Sequence, residues 1–227
     1  MKRIPLLENL RIKVKINEDR TDAVRGCVML GIEPNNAVWA DILSKVKDED
    51  LYVEGDSFGK ENEPHLTVLY GLDLGQGVRK QIMDHYSADF PKIKIMASGV
   101  SLFENPGKEY DVLKFDIEVT PELAEMNKFL TENFEYSNDY PEYHPHATIA
   151  YVKKGMGKEY VDKFECPIEF RIKNLMWSEK DYKFFLTKTI LGPIATCRSR
   201  ADGNLTMFDP ITYEVAQNQA EGNSATK

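Results

Sequence analysis

Two histidines of this 227-residue chain occupy the same seven-residue setting. Pro64-His65-Leu66-Thr67-Val68-Leu69-Tyr70 is answered 81 positions later by Pro145-His146-Ala147-Thr148-Ile149-Ala150-Tyr151, so proline, histidine, threonine, a β-branched residue and tyrosine recur in step. Histidine has an ordinary pKa of about 6.5, which makes it the side chain that gains or loses a proton closest to neutrality. In an extended strand positions i and i+2 share a face, so each copy projects one imidazole beside one hydroxyl. Two such pairs facing each other supply a proton acceptor, a proton donor and two neutral hydrogen-bond donors around one small anion. Breaking a phosphodiester by acid–base catalysis asks for that set. A single His-x-Thr says little. The competing reading makes both phrases buried strands of a repeated fold, with His and Thr merely hydrogen-bonded, and it needs a titratable residue at equivalent half-buried places twice.

At a phosphodiester, one of His65 and His146 takes a proton from the attacking hydroxyl or water. The other gives one to the departing oxygen, and the sequence leaves open which does which. Thr67 and Thr148 then hydrogen-bond the non-bridging oxygens as charge gathers on them. The scheme needs no metal and no cofactor. His144-Pro145-His146 also reads as a metal-ligand pair, but no Asp, Glu or Cys cluster at ligand spacing accompanies it, and zinc takes three or four ligands. His144 is therefore expected to tune or orient something near the pocket. On regular strands Tyr70 and Tyr151 fall on the face opposite the histidines and read as core, although a twist at the strand end would turn either hydroxyl toward the phosphate.

The loop from Tyr136 to Tyr143 is the place to look for base recognition, since Tyr140 and Tyr143 can stack on a nucleobase at about 1–3 kcal/mol each. The alternative packs those rings against the protein. Lys153 and Lys154, just past the second motif, either steer a phosphate or are simply solvated.

With these residues in view, the chain resembles the 2H (two-histidine) phosphoesterase superfamily of LigT-like 2′,3′-cyclic phosphodiesterases and 2′-5′ RNA ligase-like proteins. That superfamily is defined by two His-x-Thr/Ser motifs, here His65-Leu66-Thr67 and His146-Ala147-Thr148. The resemblance spans roughly residues 26 to 190 and, outside the motifs, rests on the order of elements. It implies an α+β fold of two pseudo-symmetric lobes, each an antiparallel sheet with flanking helices, and an active-site cleft between them.

Composition agrees with a globular protein: 42% of residues are hydrophobic and 29% charged, enough to bury a core. A net charge of −8 argues against gripping long duplex nucleic acid and favours a small nucleotide or an RNA end. The basic start, Met1-Lys2-Arg3, is interrupted by Pro5 and Glu8, so no signal peptide or membrane span is expected and the protein reads as cytoplasmic. Cys27, Cys166 and Cys197 are scattered and odd in number, which suits reduced thiols.

Along the chain, residues 1–24 read as an N-terminal extension, 25–191 as the bilobal domain and 192–227 as a C-terminal extension or tail through which subunits could associate. Cys27 to Ile32 is a core strand. Val38, Ile42, Leu43 and Val46 form a helical stripe with Trp39 at its edge. Val78 to Tyr86 reads as a helix with His85 on its surface. Ile93 to Phe103 and Tyr110 to Val119 form a hairpin, Thr120-Pro121 caps a helix, and Tyr160 to Phe164 is a short helix. Ile168 to Trp177 and Tyr182 to Ile190 form a second hairpin. Three functions remain: a phosphodiesterase for RNA ends or small nucleotides; a nuclease for cyclic or 2′-5′-linked signalling nucleotides, of the kind that viruses use against host immunity in some branches of the superfamily; and an idle nucleotide-binding or structural protein of the same fold.

Overall fold

A computed structural model describes residues 25–33, 37–55, 58–73, 78, 81–82, 84–86, 93–137, 142–178, 182–189, 192–199 and 205–207, the last three segments as backbone only. The fold is α+β and antiparallel. Ten strands, β1 (Arg25–Ile32), β2 (His65–Asp73), β3 (Ile95–Glu104), β4 (Tyr110–Ile117), β5 (His146–Lys153), β6 (Ile168–Phe170), β7 (Ile172–Ser178), β8 (Tyr182–Thr189), β9 (Gly192–Ser199) and β10 (Leu205–Met207), line up as β10-β9-β8-β7-β1-β2-β5-β4-β3-β6. Helix α1 (Ala37–Ser44) packs on β5, and helix α2 (Pro121–Asn133) on β2. Each lobe thus takes its helix from the other half of the chain. A 3-10 turn at Asp48–Asp50 and a 3-10 helix at Met156–Lys163 complete the second lobe.

The apolar periodicity explains which face is core. Val28, Leu30 and Ile32 on β1, Leu66 and Val68 on β2, Leu113, Phe115 and Ile117 on β4, and Ala147 and Ile149 on β5 turn toward the helices and are buried in one continuous cluster. On α1 the stripe is centred differently from the expectation. Trp39, Ile42 and Val46 are almost fully buried while Val38 is half in water; the indole turns inward because its rings pack against Phe115 at 6.1 Å and Phe170 at 5.6 Å, a larger apolar gain than a valine offers. Helix α2 starts as its sequence demands: Leu123 N–H donates to the Thr120 hydroxyl at 3.3 Å and Pro121 takes the first turn. No helix of the described residues is long and apolar enough to cross a membrane.

The stretch Ile168 to Trp177 is not one arm of a hairpin. It breaks at Arg171 into β6, which pairs with β3, and β7, which pairs with β1. Glu33 N–H donates to the Arg171 carbonyl at 3.1 Å. One residue therefore connects strands that the ladder order places at opposite ends of seven, so the sheet from β7 round to β6 must curl almost into a ring. The expected hairpin survives in its second half, as β7–β8. Beyond it β9 and β10 carry the sheet through part of the segment set apart as an extension. Residues 1–24 and 217–227 lie outside the described residues.

Candidate active site

The two motif strands meet at one register pair, Leu66 opposite Ala147. Both of these are fully buried toward the helices, so their neighbours turn the other way. Extending the register by one residue sets His65 across from Thr148 and Thr67 across from His146. The four side chains make a square on the inner face, and all four are half-buried. Pro64 and Pro145, which have no N–H of their own, accept equivalent bonds just upstream, from Ile32 N–H at 2.8 Å and Ile117 N–H at 3.1 Å.

Beyond the crossing each strand bulges at the same place. Met29 pairs with Thr67 but Val28 with Leu69, so Val68 is extra; Lys114 pairs with Thr148 but Leu113 with Ala150, so Ile149 is extra. The bulge carbonyls are satisfied from outside the ladder, Val68 O by Asn127 Nδ2 at 2.7 Å and Ile149 O by Glu61 N–H at 2.9 Å. A one-residue bulge reverses the facing of everything after it. Tyr70 and Tyr151, expected on the opposite face, are therefore carried onto the histidine face.

Both imidazoles are anchored alike. His65 Nδ1 lies 2.8 Å from the Glu63 carbonyl, and His146 Nδ1 lies 3.1 Å from the His144 carbonyl. A carbonyl oxygen only accepts, so each Nδ1 carries the hydrogen and each Nε2 is the ring nitrogen left for a second contact. Neither threonine hydroxyl has a hydrogen-bond partner among the described residues.

Register extends the square across six strands. Asn174, Gly31 and His65 stand opposite one another on β7, β1 and β2, continued by Thr148, Lys114 and Ser101 on β5, β4 and β3. The adjacent row runs Met176, Met29, Thr67, then His146, Asp116 and Gly99. Lys114 is 7% exposed. Its ammonium touches the Asp116 carboxylate, donates to Ser101 Oγ at 2.7 Å and sits 4.4 Å above the Phe103 ring, whose edge-on partner is His146 at 4.9 Å. Burial holds the His146 imidazole below the usual histidine value; the His144 carbonyl and Asp116 oppose this, while Lys114 and His65 add to it. At the other end of the first row Asn174 is 5% exposed and its Oδ1 has no hydrogen-bond partner among the described residues. The carboxamide lies over Gly31, where a Cβ would meet that oxygen at 2.1 Å.

Lys114, Asp116, Phe103, Gly31 and Asn174 were not singled out by the sequence. A signal existed on β4, because the alternation that points Leu113, Phe115 and Ile117 to the core leaves Lys114 and Asp116 on the other face. Several expected binding residues stand elsewhere. The His144 imidazole is exposed and pairs with Glu142 at 3.2 Å; its contribution to the site is its carbonyl. Tyr143 is half-buried, its hydroxyl donating to the Thr67 carbonyl at 3.4 Å, and burial pushes its pKa up. It packs on the lobe, and Tyr140 lies outside the described residues. Lys153 is seven residues along β5 from His146, roughly 23 Å, and donates to the Glu49 carbonyl at 2.6 Å. Lys154 is bound to the buried Asp111 at 2.6 Å. His85 stacks on Phe129 with ring centroids 3.8 Å apart.

A family model for the 2′-5′ RNA ligase superfamily matches residues 34–177, and the chain belongs to that superfamily, whose members are 2H phosphoesterases. Similar solved structures include Usb1 of Kluyveromyces marxianus, at 10% identity and a TM-score of 0.45 over 69% of this chain and 94% of that one. TT0787 of Thermus thermophilus has 15% identity and a TM-score of 0.40, over 76% and 94%. LigT of E. coli, complexed with 3′-AMP, has 9% identity and a TM-score of 0.37, over 77% and 94%. No curated protein matches the chain.

Proposed function

We propose that this protein is a phosphodiesterase that opens a cyclic phosphate or a phosphodiester bond in an RNA end or small nucleotide, with His65 and His146 as its acid–base pair. The observation that carries the reading is the matched anchoring of the two rings, each giving its Nδ1 hydrogen to the carbonyl two residues upstream. This leaves two Nε2 atoms beside two threonine hydroxyls on crossing strands. His146, held below the usual histidine value by burial, is the ring that starts neutral. Its Nε2 takes the proton of the attacking hydroxyl or water as the new O–P bond forms. His65 then supplies a proton from Nε2 to the oxygen whose bond to phosphorus breaks. Thr67 and Thr148 donate to the non-bridging oxygens, and these bonds strengthen as charge accumulates there. The acidic net charge of the chain favours a small substrate over long duplexes.

Incubation in EDTA with 2′,3′-cyclic nucleotides, 2′-5′ oligoadenylate and cyclic dinucleotides identifies the linkage and separates an RNA-end enzyme from a nuclease of signalling nucleotides. On the best substrate His65→Ala and His146→Ala should each lose about 10²–10⁴-fold in kcat, the usual worth of one acid or base. A wild-type rate in either variant would falsify the two-histidine scheme. Nucleotide binding with no turnover of any substrate would favour the idle binding protein.

A further inference from the structure

Outward from each motif histidine the row continues with one glycine and one short polar residue, in opposite order. Beyond His146 stand Asp116 and then Gly99; beyond His65 stand Gly31 and then Asn174. Asp116 is engaged, its carboxylate held by Lys114 and by Ser101 Oγ at 2.8 Å. Asn174 is not. Its side chain is buried, and neither end of the carboxamide has a hydrogen-bond partner among the described residues. Because Gly31 has no side chain, the carboxamide lies over it, in the space where a Cβ would meet Oδ1 at 2.1 Å and Cγ at 3.3 Å. A polar group rooted two strands away is thereby brought within one strand spacing of His65, about 4.8 Å. A buried amide left unpaired lowers stability, and folds keep such groups where a site needs them.

We infer that Asn174 is a further substrate-binding residue, its carboxamide taking the sugar hydroxyl next to the phosphate ester, with Gly31 bare so that it can reach. The inference rests on the phosphodiesterase reading of the four-residue square. In that reading Thr67 and Thr148 serve the two non-bridging oxygens, and His65 and His146 serve the oxygens that leave and attack. Every oxygen on phosphorus then has its partner, which leaves the carboxamide for the sugar that carries the oxygen at His65. On a ribose the polar atom next along is the hydroxyl of the adjacent carbon. When a cyclic phosphate opens, the oxygen that His65 protonates itself becomes that hydroxyl, and Oδ1 accepts its hydrogen. A hydroxyl both donates and accepts, and so does a carboxamide. The last torsion of an asparagine is broad, so the amide turns from Gly31 to the ligand at little cost. The substrate class is ribose phosphates with a hydroxyl beside the ester, as distinct from deoxyribose phosphates.

Calorimetric titration of the full chain with adenosine 3′-monophosphate and with its 2′-deoxy analogue reads the contact without requiring turnover. The wild type should bind the ribonucleotide about 2–13-fold more tightly, the usual net worth of one hydrogen bond. Asn174→Leu, nearly the same shape with no polar atom, should bind the two alike, keep the wild-type affinity for the deoxy analogue and melt no lower than the wild type. Gly31→Ala is the independent variant: its methyl displaces the carboxamide, a movable side-chain end, and should erase the preference as well. Equal binding of both ligands by the wild type, or a preference that persists in either variant, overturns the inference. A lower melting temperature in Asn174→Leu with the preference intact makes Asn174 a structural residue. The two levels fail separately: wild-type turnover in His65→Ala overturns the phosphodiesterase reading, whereas the binding comparison needs no turnover and overturns only the role of Asn174.

Discussion

His144 keeps its imidazole in water and lends the site a main-chain carbonyl, as Glu63 does for the other ring. A side chain that contributes only backbone is replaceable. His144→Ala should leave kcat within about twofold, the ordinary range for an exposed substitution, and a loss comparable to that of His146→Ala would show the imidazole to be needed. Lys114 is the opposite case, a buried cation whose charge acts on its neighbour. The groups facing His146 are Lys114 and Asp116 from β4 and His65 from β2. Lys114→Met removes one influence that lowers the ring's pKa and leaves Asp116, which raises it, uncompensated. The pKa of His146 therefore rises, and the acidic limb of the kcat/KM profile should move to higher pH. A limb that stays in place would detach Lys114 from the chemistry. His65, Thr67, His146 and Thr148 were legible because their spacing alone sets their facing. Lys114 and Asn174 were not, since each becomes a neighbour of the square only through cross-strand register, which no local pattern states.

The bulges at Val68 and Ile149 decide more of the site than any other local feature. Strict alternation sends both tyrosines to the wrong face; one extra residue per strand corrects them, and nothing in Thr-Val-Leu or Thr-Ile-Ala announces it. Just past the first bulge Gly71 has φ +82°, and a Cβ there would meet the Ser137 carbonyl oxygen at 1.9 Å. That oxygen cannot withdraw easily, because Ser137 N–H is itself held by the Gly71 carbonyl at 2.9 Å. Gly71→Ala should cost at least about 2 kcal/mol from left-handed strain plus the clash, seen as a lower urea midpoint. An unchanged midpoint would mean that this strand end is far softer than its contacts imply. The elements legible in advance were those with strong punctuation: the Thr120-Pro121 start of α2 and the β3–β4 hairpin. Helix α1 was found but mis-centred, because the stripe rule weighs positions equally while the core weighs them by the area a side chain brings.

Two lobes divide the motifs, but the core does not divide with them. Trp39 of α1, Phe115 of β4 and Phe170 of β6 share one buried cluster with Leu30 and Leu66 of the other lobe. Phe170→Ala should cost about 3–5 kcal/mol, as expected for emptying an aromatic site in a core. Urea unfolding followed by tryptophan fluorescence and by far-ultraviolet dichroism should give one coincident transition before and after the change. Two separated transitions would mean lobes that hold themselves together independently. The curl at Arg171 has a further consequence, in time rather than in space. Strand β1 ends at Ile32, and its outer neighbour β7 starts only at Ile172, most of a chain length later. Until then Val28, Leu30 and Ile32 belong to an open strand edge on a nascent chain, the kind of edge that recruits wrong partners. Closure by contacts so distant in sequence is slow, so the yield of this protein from the ribosome should depend on how well that one edge is sheltered while it waits.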